Sequence, residues 1–444
     1  MSLTRQLVRL ISNKTATESD LRAASLFVLD TLACAIGGRR APPARMLSAV
    51  APVEHGDTAR RAFLLGGLSH ILEMDDLHRD SVTHPGSVVI PAAWAVAAER
   101  GIGGRRFLEA VLDGYEACCR VGMAVGKGHY RIWHNTSTCG PFGAAMAASS
   151  LIELTEDEAV WALGNAGTQS SGLWEFLATG AMSKHLHTAR GAESGVLAAY
   201  LAKEGFTGPE RILEGEKGFF AGACPDPAPE AVTSGPDRAW ELTRTSIKPW
   251  PCCRHTHPAI DAAIELHHVL DGVGIASVKV GAYRAALDVC NRPTPEDPYS
   301  AKFSLQHTVA IALADGKVDQ VSFDAAARQR IASERSKVEV ALSPEIDQAY
   351  PAGWGVEIDV CASDGRTLRA TRRDAKGDPE NPVNASELQA KARMLLADGG
   401  LTSRQSDRFI AAILSLTDDT PVRDLGLIDL MKADSARPQL AESA

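Results

Sequence analysis

Residues 72–86 read LEMDDLHRDSVTHPG, a stretch dense in groups that move protons. Five carboxylates or imidazoles (Glu73, Asp75, Asp76, His78 and Asp80) precede His84, which stands in a Thr-His-Pro-Gly corner. The residue before a proline is pushed out of the α region, so His84 is expected at a helix break, pointing into a cavity. Burying such a patch between apolar segments is costly unless its members pair or are used. The bland alternative is a solvated acidic loop between two helices.

Four further stretches hold polar groups that a core would not choose. Gly128 to Thr138 contains His129 and His134, and Met182 to His187 contains Lys184, His185 and His187. Ile247 to Pro258 contains Lys248, Cys252, Cys253, Arg254, His255 and His257, and Asp288 to Pro293 is predicted at a strand end. Placed at or before helix starts, such segments offer free amides and the positive end of the dipole to an anion. With Lys184, Lys248 and Arg254 nearby, the expected ligand is a small carboxylate-rich molecule. Read singly, a histidine or lysine at a helix start is more often a structural or solvated residue.

The elements that must position these groups are mostly helices. Apolar residues from Leu21 to Ala35 recur at helical spacing and Gly37-Gly38 is expected to close that helix. Helices are predicted over 64–73, 88–99, 106–125, 144–154 and 191–203, and Thr155…Glu158 forms a capping box that opens another. Pro225 to Pro236 marks a change of character. Residues 277–283 and 338–340 then alternate as strands would, and 356–360 with 367–371 flank Asp364-Gly365, a hairpin signal. The expected architecture is mostly α: an all-helical domain over 1–245, a smaller α+β lid over 246–380, and helices over 381–444 that return to the first domain.

Composition bounds the classes. Of 444 residues, 45% are hydrophobic and 23% charged, and the net charge of −9 is spread along the chain. That excludes the basic stripe of a nucleic-acid binder. No run approaches the ~18 consecutive apolar residues of a membrane span, and Met1 to Lys14 lacks a signal-peptide pattern. The nine cysteines include the adjacent pairs Cys118-Cys119 and Cys252-Cys253 but no CxxC spacing. Reduced thiols in a cytoplasmic protein are expected, without a zinc or iron–sulfur site.

The ordered motifs at 73–86, 128–138, 183–187 and 248–257 resemble the MmgE/PrpD family, which includes 2-methylcitrate dehydratase, cis-aconitate decarboxylase and iminodisuccinate epimerase. The resemblance runs from about Thr15 to Leu416. It implies a cofactor-independent homodimer with an active site between a helical domain and a lid, and no metal. His84 resembles the family's catalytic histidine, His134 its second active-site histidine, and Lys184 and Lys248 its substrate-facing lysines. Glu73 falls where the decarboxylase branch has aspartate. Leu77, Cys253 and Val289 replace that branch's threonine, histidine and tyrosine, which points away from cis-aconitate.

The chemistry this implies is the making or quenching of a carbanion beside a carboxylate. His84 is expected as acid or base, with His134 opposite or protonating a leaving hydroxyl. Asp75, Asp76 and His78 are expected to orient His84, Asp76 being counted with the catalytic group. Glu73, Asp75, His78, His187, Cys253, Arg254, His255 and His257 are expected to bind substrate. A 2-methylcitrate-dehydratase-like hydro-lyase is the first reading, an epimerase or decarboxylase the alternatives. A remoter rival is a magnesium-dependent isoprenoid synthase built on Asp75-Asp76…Asp80, whose DDxxxD spacing is one residue too long.

Overall fold

The computed structural model describes residues 1–53 and 56–432. Residues 433–444, the end of the expected C-terminal segment, lie outside the described residues. The chain divides into two compact units, residues 1–245 with 384–444, and residues 246–383.

In the first unit the chain forms α1 (Leu3–Ser12), α2 (Glu18–Gly38), α3 (Pro42–Val50), α4 (Thr58–His70) and α5 (Gly86–Arg100). It continues through α6 (Gly104–Ala124), α7 (Gly126–Tyr130), α8 (Asn135–Leu151), α9 (Glu156–Gly167) and α10 (Ser183–Lys203). Local chemistry sets several starts. Thr17 with Asp20 and Thr155 with Glu158 form capping boxes on α2 and α9. α5 stops at Gly101, whose φ of 66° gives the left-handed cap that glycine favours.

α2 runs through Gly37-Gly38 instead of ending there. A Cβ on Gly38 would lie 2.5 Å from the Leu68 carbonyl oxygen, so the glycine serves the close approach of α2 to α4. α2 is long and apolar enough, by length and composition alone, to cross a membrane. Yet 83% of its most apolar window is buried in the fold, as in a core helix. α8 begins nine residues before the expected start and passes through Gly140-Pro141. That places His134 directly at a helix N-cap. α10 likewise begins at Ser183, so Lys184 and His187 sit in its opening turns.

α10 packs against α4, α5, α8 and α9, and α6 against α8. Beneath them Leu7, Val121, Phe142, Val160 and Leu163 form part of one apolar cluster. Each such side chain contributes roughly 1.5–3 kcal/mol of burial.

The second unit contains α11 (His257–Leu270), β1 (Ile275–Ala282), α12 (Leu305–Asp315), β2 (Val338–Leu342), β3 (Val356–Ala362) and β4 (Thr367–Arg372). Its sheet has the order β2-β1-β3-β4. β1 pairs parallel with β2 and antiparallel with β3, and β3–β4 is the hairpin at Asp364-Gly365. α11 and α12 pack together and α11 also lies on β3 and β4. After this unit, Asn384 and Glu387 form the capping box of α13 (Ala385–Asp398), which packs on α2. α14 (Ser403–Leu414) follows.

Candidate active site

Four segments of the helical unit converge on one buried group of imidazoles. His70 ends α4, His84 precedes Pro85 at the head of α5, His134 caps α8, and Lys184 lies in the first turn of α10. The chain turns sharply after α4 through Glu73, a non-glycine residue at φ 60°. Such backbone is costly and is held where the surroundings fix it. The ring centroids of His70 and His84 are 4.7 Å apart, those of His70 and His134 6.0 Å, and those of His84 and His134 6.4 Å.

Asp75 joins two of these rings. Its Oδ2 accepts from His70 Nδ1 at 2.6 Å and stands 3.4 Å from His84 Nδ1. His84 Nδ1 also lies 2.6 Å from the Asp76 carbonyl oxygen. A carbonyl only accepts, so His84 Nδ1 carries the proton and Nε2 presents its lone pair in the neutral ring. The Thr136 hydroxyl accepts from the His84 backbone N–H at 3.0 Å, tying the corner to α8.

His134 Nδ1 meets His187 Nδ1 at 3.2 Å, and its ring packs 4.7 Å from Trp174. Burial, then the charge of Lys184 and the neighbouring imidazoles, holds His134 well below the ordinary histidine range. Burial pushes His187 down to about 4, with His70 and Lys184 adding to it. Both rings are therefore neutral near pH 7. The expectation that His134 protonates a departing hydroxyl meets an obstacle here, because a neutral imidazole is a weak acid.

Lys184 Nζ donates to Glu73 Oε1 at 2.5 Å, with both side chains buried. The ammonium thus stands beside the imidazoles with its place fixed by Glu73. From α13, Lys391 pairs with Asp30 at 2.5 Å and donates to the Met74 carbonyl at 2.7 Å. The C-terminal helix therefore braces the loop that carries Glu73 and Asp75.

Asp76 and His78 do not act on His84 through their side chains as expected. The Asp76 carboxylate accepts from Tyr115 Oη at 2.6 Å and from the Gly86 N–H at 3.0 Å. Burial, only partly offset by the Tyr115 bond, raises it well above the usual carboxylate range. Asp76 anchors the corner that holds His84. A side chain on Gly86 would lie 2.6 Å from Thr31 Oγ1 and 2.9 Å from Asp76 Oδ1, so this contact requires glycine. His78 has Ser81 Oγ at 2.9 Å on Nδ1 and Glu241 Oε2 at 3.1 Å on Nε2. It belongs to a separate buried network with Glu241 and Arg244.

The second unit engages several expected ligands internally. Arg254 pairs with buried Asp378 at 2.5 Å, and Asp378 also accepts from Ser246 Oγ at 2.6 Å. His255 stacks on Trp354 with centroids 4.5 Å apart, and its Nδ1 meets Tyr283 Oη at 2.6 Å. Burial, then Arg254, pushes His255 down to about 3. His257 Nε2 faces the Cys252 carbonyl at 3.3 Å. These three residues hold the second unit together, as a buried polar group with a partner at hand will do. Lys248 and Cys253 are buried.

His70, His185, Tyr115 and Lys391 were not singled out as site residues by sequence. His185 is buried, with its ring 6.5 Å from His70. His70 ends an apolar helix, where a lone histidine looks structural, and its spacing of five from Asp75 has no helical signature. A ring nitrogen of His70, one of His84 and an Asp75 oxygen lie close enough together to suggest a cation site. The Nδ1 atoms of both rings face oxygens at hydrogen-bond distance and serve those bonds.

A buried cluster of imidazoles, one shared carboxylate and one lysine defines an acid–base site for an anionic molecule. The MmgE/PrpD N-terminal domain matches residues 5–231 and the MmgE/PrpD C-terminal domain residues 250–418, so the chain belongs to the MmgE/PrpD family. It is 27% identical to cis-aconitate decarboxylase-like protein oryM of Aspergillus oryzae over 91% of this chain and 92% of that protein. It is 26% identical to cis-aconitate decarboxylase of Aspergillus terreus over 91% of both chains. The human cis-aconitate decarboxylase is 27% identical over 75% of this chain and 71% of its own.

Proposed function

We propose that the protein is a lyase of a small di- or tricarboxylate that moves a proton at the carbon beside a carboxylate. The observation that carries this is His84, whose Nδ1 is fixed by the Asp76 carbonyl and Asp75 so that Nε2 is the basic atom. Family membership and the names of the relatives support a lyase acting on such a molecule.

The first reading is a hydro-lyase resembling 2-methylcitrate dehydratase. His84 Nε2 takes the proton from the α-carbon, and the C–H electron pair passes into the enediolate of the neighbouring carboxylate. Lys184 stands where it stabilises that charge. The pair then forms the C=C bond as the C–O bond breaks and the hydroxyl leaves, protonated, as water. The names of the relatives favour a second reading, decarboxylation of cis-aconitate. There the C–CO₂ bond breaks and the resulting carbanion takes a proton from an imidazolium.

Incubating the purified protein with 2-methylcitrate, citrate, cis-aconitate and iminodisuccinate separates these by product. A conjugated double bond rising at 240 nm from a hydroxy acid supports the hydro-lyase, and CO₂ release from cis-aconitate supports the decarboxylase. Inversion of iminodisuccinate without bond cleavage would move the assignment to an isomerase. No change in any of the four would refute the proposal.

A further inference from the structure

Buried histidines of this protein can have both ring nitrogens matched. His129 has the Ala223 carbonyl on Nδ1 at 2.8 Å and Thr138 Oγ1 on Nε2 at 2.8 Å. His78 has Ser81 and Glu241. His70 departs from this. It is fully buried, and Asp75 holds its Nδ1 at 2.6 Å. Its Nε2 has no hydrogen-bond partner among the described residues. The ring lies edge-to-face with His84 and nearly parallel to His134, whose own Nε2 is likewise without a partner among the described residues. A buried donor or acceptor left open needs an explanation, and open Nε2 atoms on facing rings of one site fit a ligand that completes them.

We infer that His70 is a further catalytic residue, whose Nε2 touches the substrate and delivers the proton that leaves with the departing hydroxyl. Two observations place the role on this ring. The Asp75 carboxylate faces Nδ1 of both His70 and His84, so it balances one added positive charge on that pair. His134, held neutral by burial and by Lys184, has the His187 imidazole on its Nδ1 where His70 has the Asp75 carboxylate. The pair then works as a unit. Once the α-proton is on His84 Nε2 and the enediolate has formed, the proton on His70 Nε2 passes to the hydroxyl oxygen and the C–O bond breaks. One net positive charge faces Asp75 before and after the two transfers, and after product release His84 gives its proton to solvent as His70 takes one up. This deepens the hydro-lyase reading and rests on it.

The test uses the whole chain in D₂O with the substrate found above. In His70→Asn the amide stands near the former Nδ1 and keeps a donor to Asp75, but Nε2 is gone. His70→Gln places an amide near the former Nε2 that cannot release a proton. The expected result is that both lose net elimination by about 100-fold or more, while α-deuterium exchange driven by His84 stays within about tenfold of wild type. Turnover of His70→Asn within about threefold of wild type would overturn the inference. So would equal loss of exchange and elimination in a folded variant, which marks a positioning role. Should the variants not fold, a crystal structure of the wild type with tricarballylate decides. His70 Nε2 within about 3.2 Å of a ligand oxygen supports contact, and a ligand seated elsewhere refutes it. Should the wild type transform none of the compounds, the lyase reading fails and the crystal alone decides whether His70 touches a tricarboxylate.

Discussion

Tyr115→Phe removes one oxygen from the wall behind His84 and leaves everything else in place. In the wild type that hydroxyl donates to Asp76 at 2.6 Å inside a fully buried site, and Gly86 supplies the other contact through its N–H. A hydrogen bond to a charged group is worth about 1.5–3 kcal/mol and one to a neutral group about 1 kcal/mol. The Tyr115 bond lowers the Asp76 pKa, whereas burial raises it overall. Because the folded pKa is raised, the protonated form favours the fold at low pH, and that contribution is lost as pH rises through the folded value. Removing the hydroxyl makes ionisation costlier still. The variant should therefore lose about 1 kcal/mol while Asp76 is protonated and about 1.5–3 kcal/mol once it is ionised, so the penalty read by urea unfolding grows as pH rises. Since Asp76 holds the His84 corner, kcat should fall about tenfold, as expected for a slight displacement of a catalytic group. A penalty that shrinks as pH rises would refute the assigned role of Asp76.

Gly86→Ala forces a methyl group among Thr31, Tyr115 and Asp76. It should cost about 1–3 kcal/mol as overpacking and depress activity more than a distant substitution of equal cost, judged by comparing kcat at matched stability. Asp378→Asn removes the anionic partner of Arg254 and should destabilise the protein by about 3–5 kcal/mol, measured as a shifted urea midpoint. Acid should unfold the protein through its buried neutral histidines, His255 at about 3 and His307 at about 4 against an ordinary 6.5. Their folded pKa values are lowered, so the unfolded chain binds protons first. Stability is then present above pH 6.5 and falls by about 1.4 kcal/mol per unit per histidine towards pH 4. A flat profile over that window would contradict this. Lys248→Met tests the remaining lysine: a folded variant with at least about tenfold higher KM supports substrate contact, and unchanged kinetics removes Lys248 from the site.

Much of the helical unit was legible because its signals are local. The Thr155…Glu158 capping box and the Asp364-Gly365 hairpin stand where sequence places them. Helix ends were misjudged where tertiary contact overrides a local rule. Gly37-Gly38 reads as a cap, yet Leu68 needs the glycine inside the helix. Within the site, the segments around 73–86, 134 and 184 were visible from residue type alone. Which way each side chain turns was not. Asp75 and Asp76 are neighbours of one type, but Asp75 faces two imidazoles and Asp76 a tyrosine. His255 and His257 look like ligands by spacing and are held by an aromatic stack and a carbonyl. His70 escaped notice because its partner comes from the sharp turn at Glu73, which no periodicity reveals.

The central claim is that His84 Nε2 transfers the proton at the carbon beside a carboxylate. Deuterium incorporation at that carbon, followed by proton NMR in D₂O, measures it directly, with His84→Asn alongside the wild type. The account predicts exchange or elimination of the α-proton by the wild type and a loss of at least about 100-fold in the variant with the fold intact. Undiminished exchange in His84→Asn would contradict it.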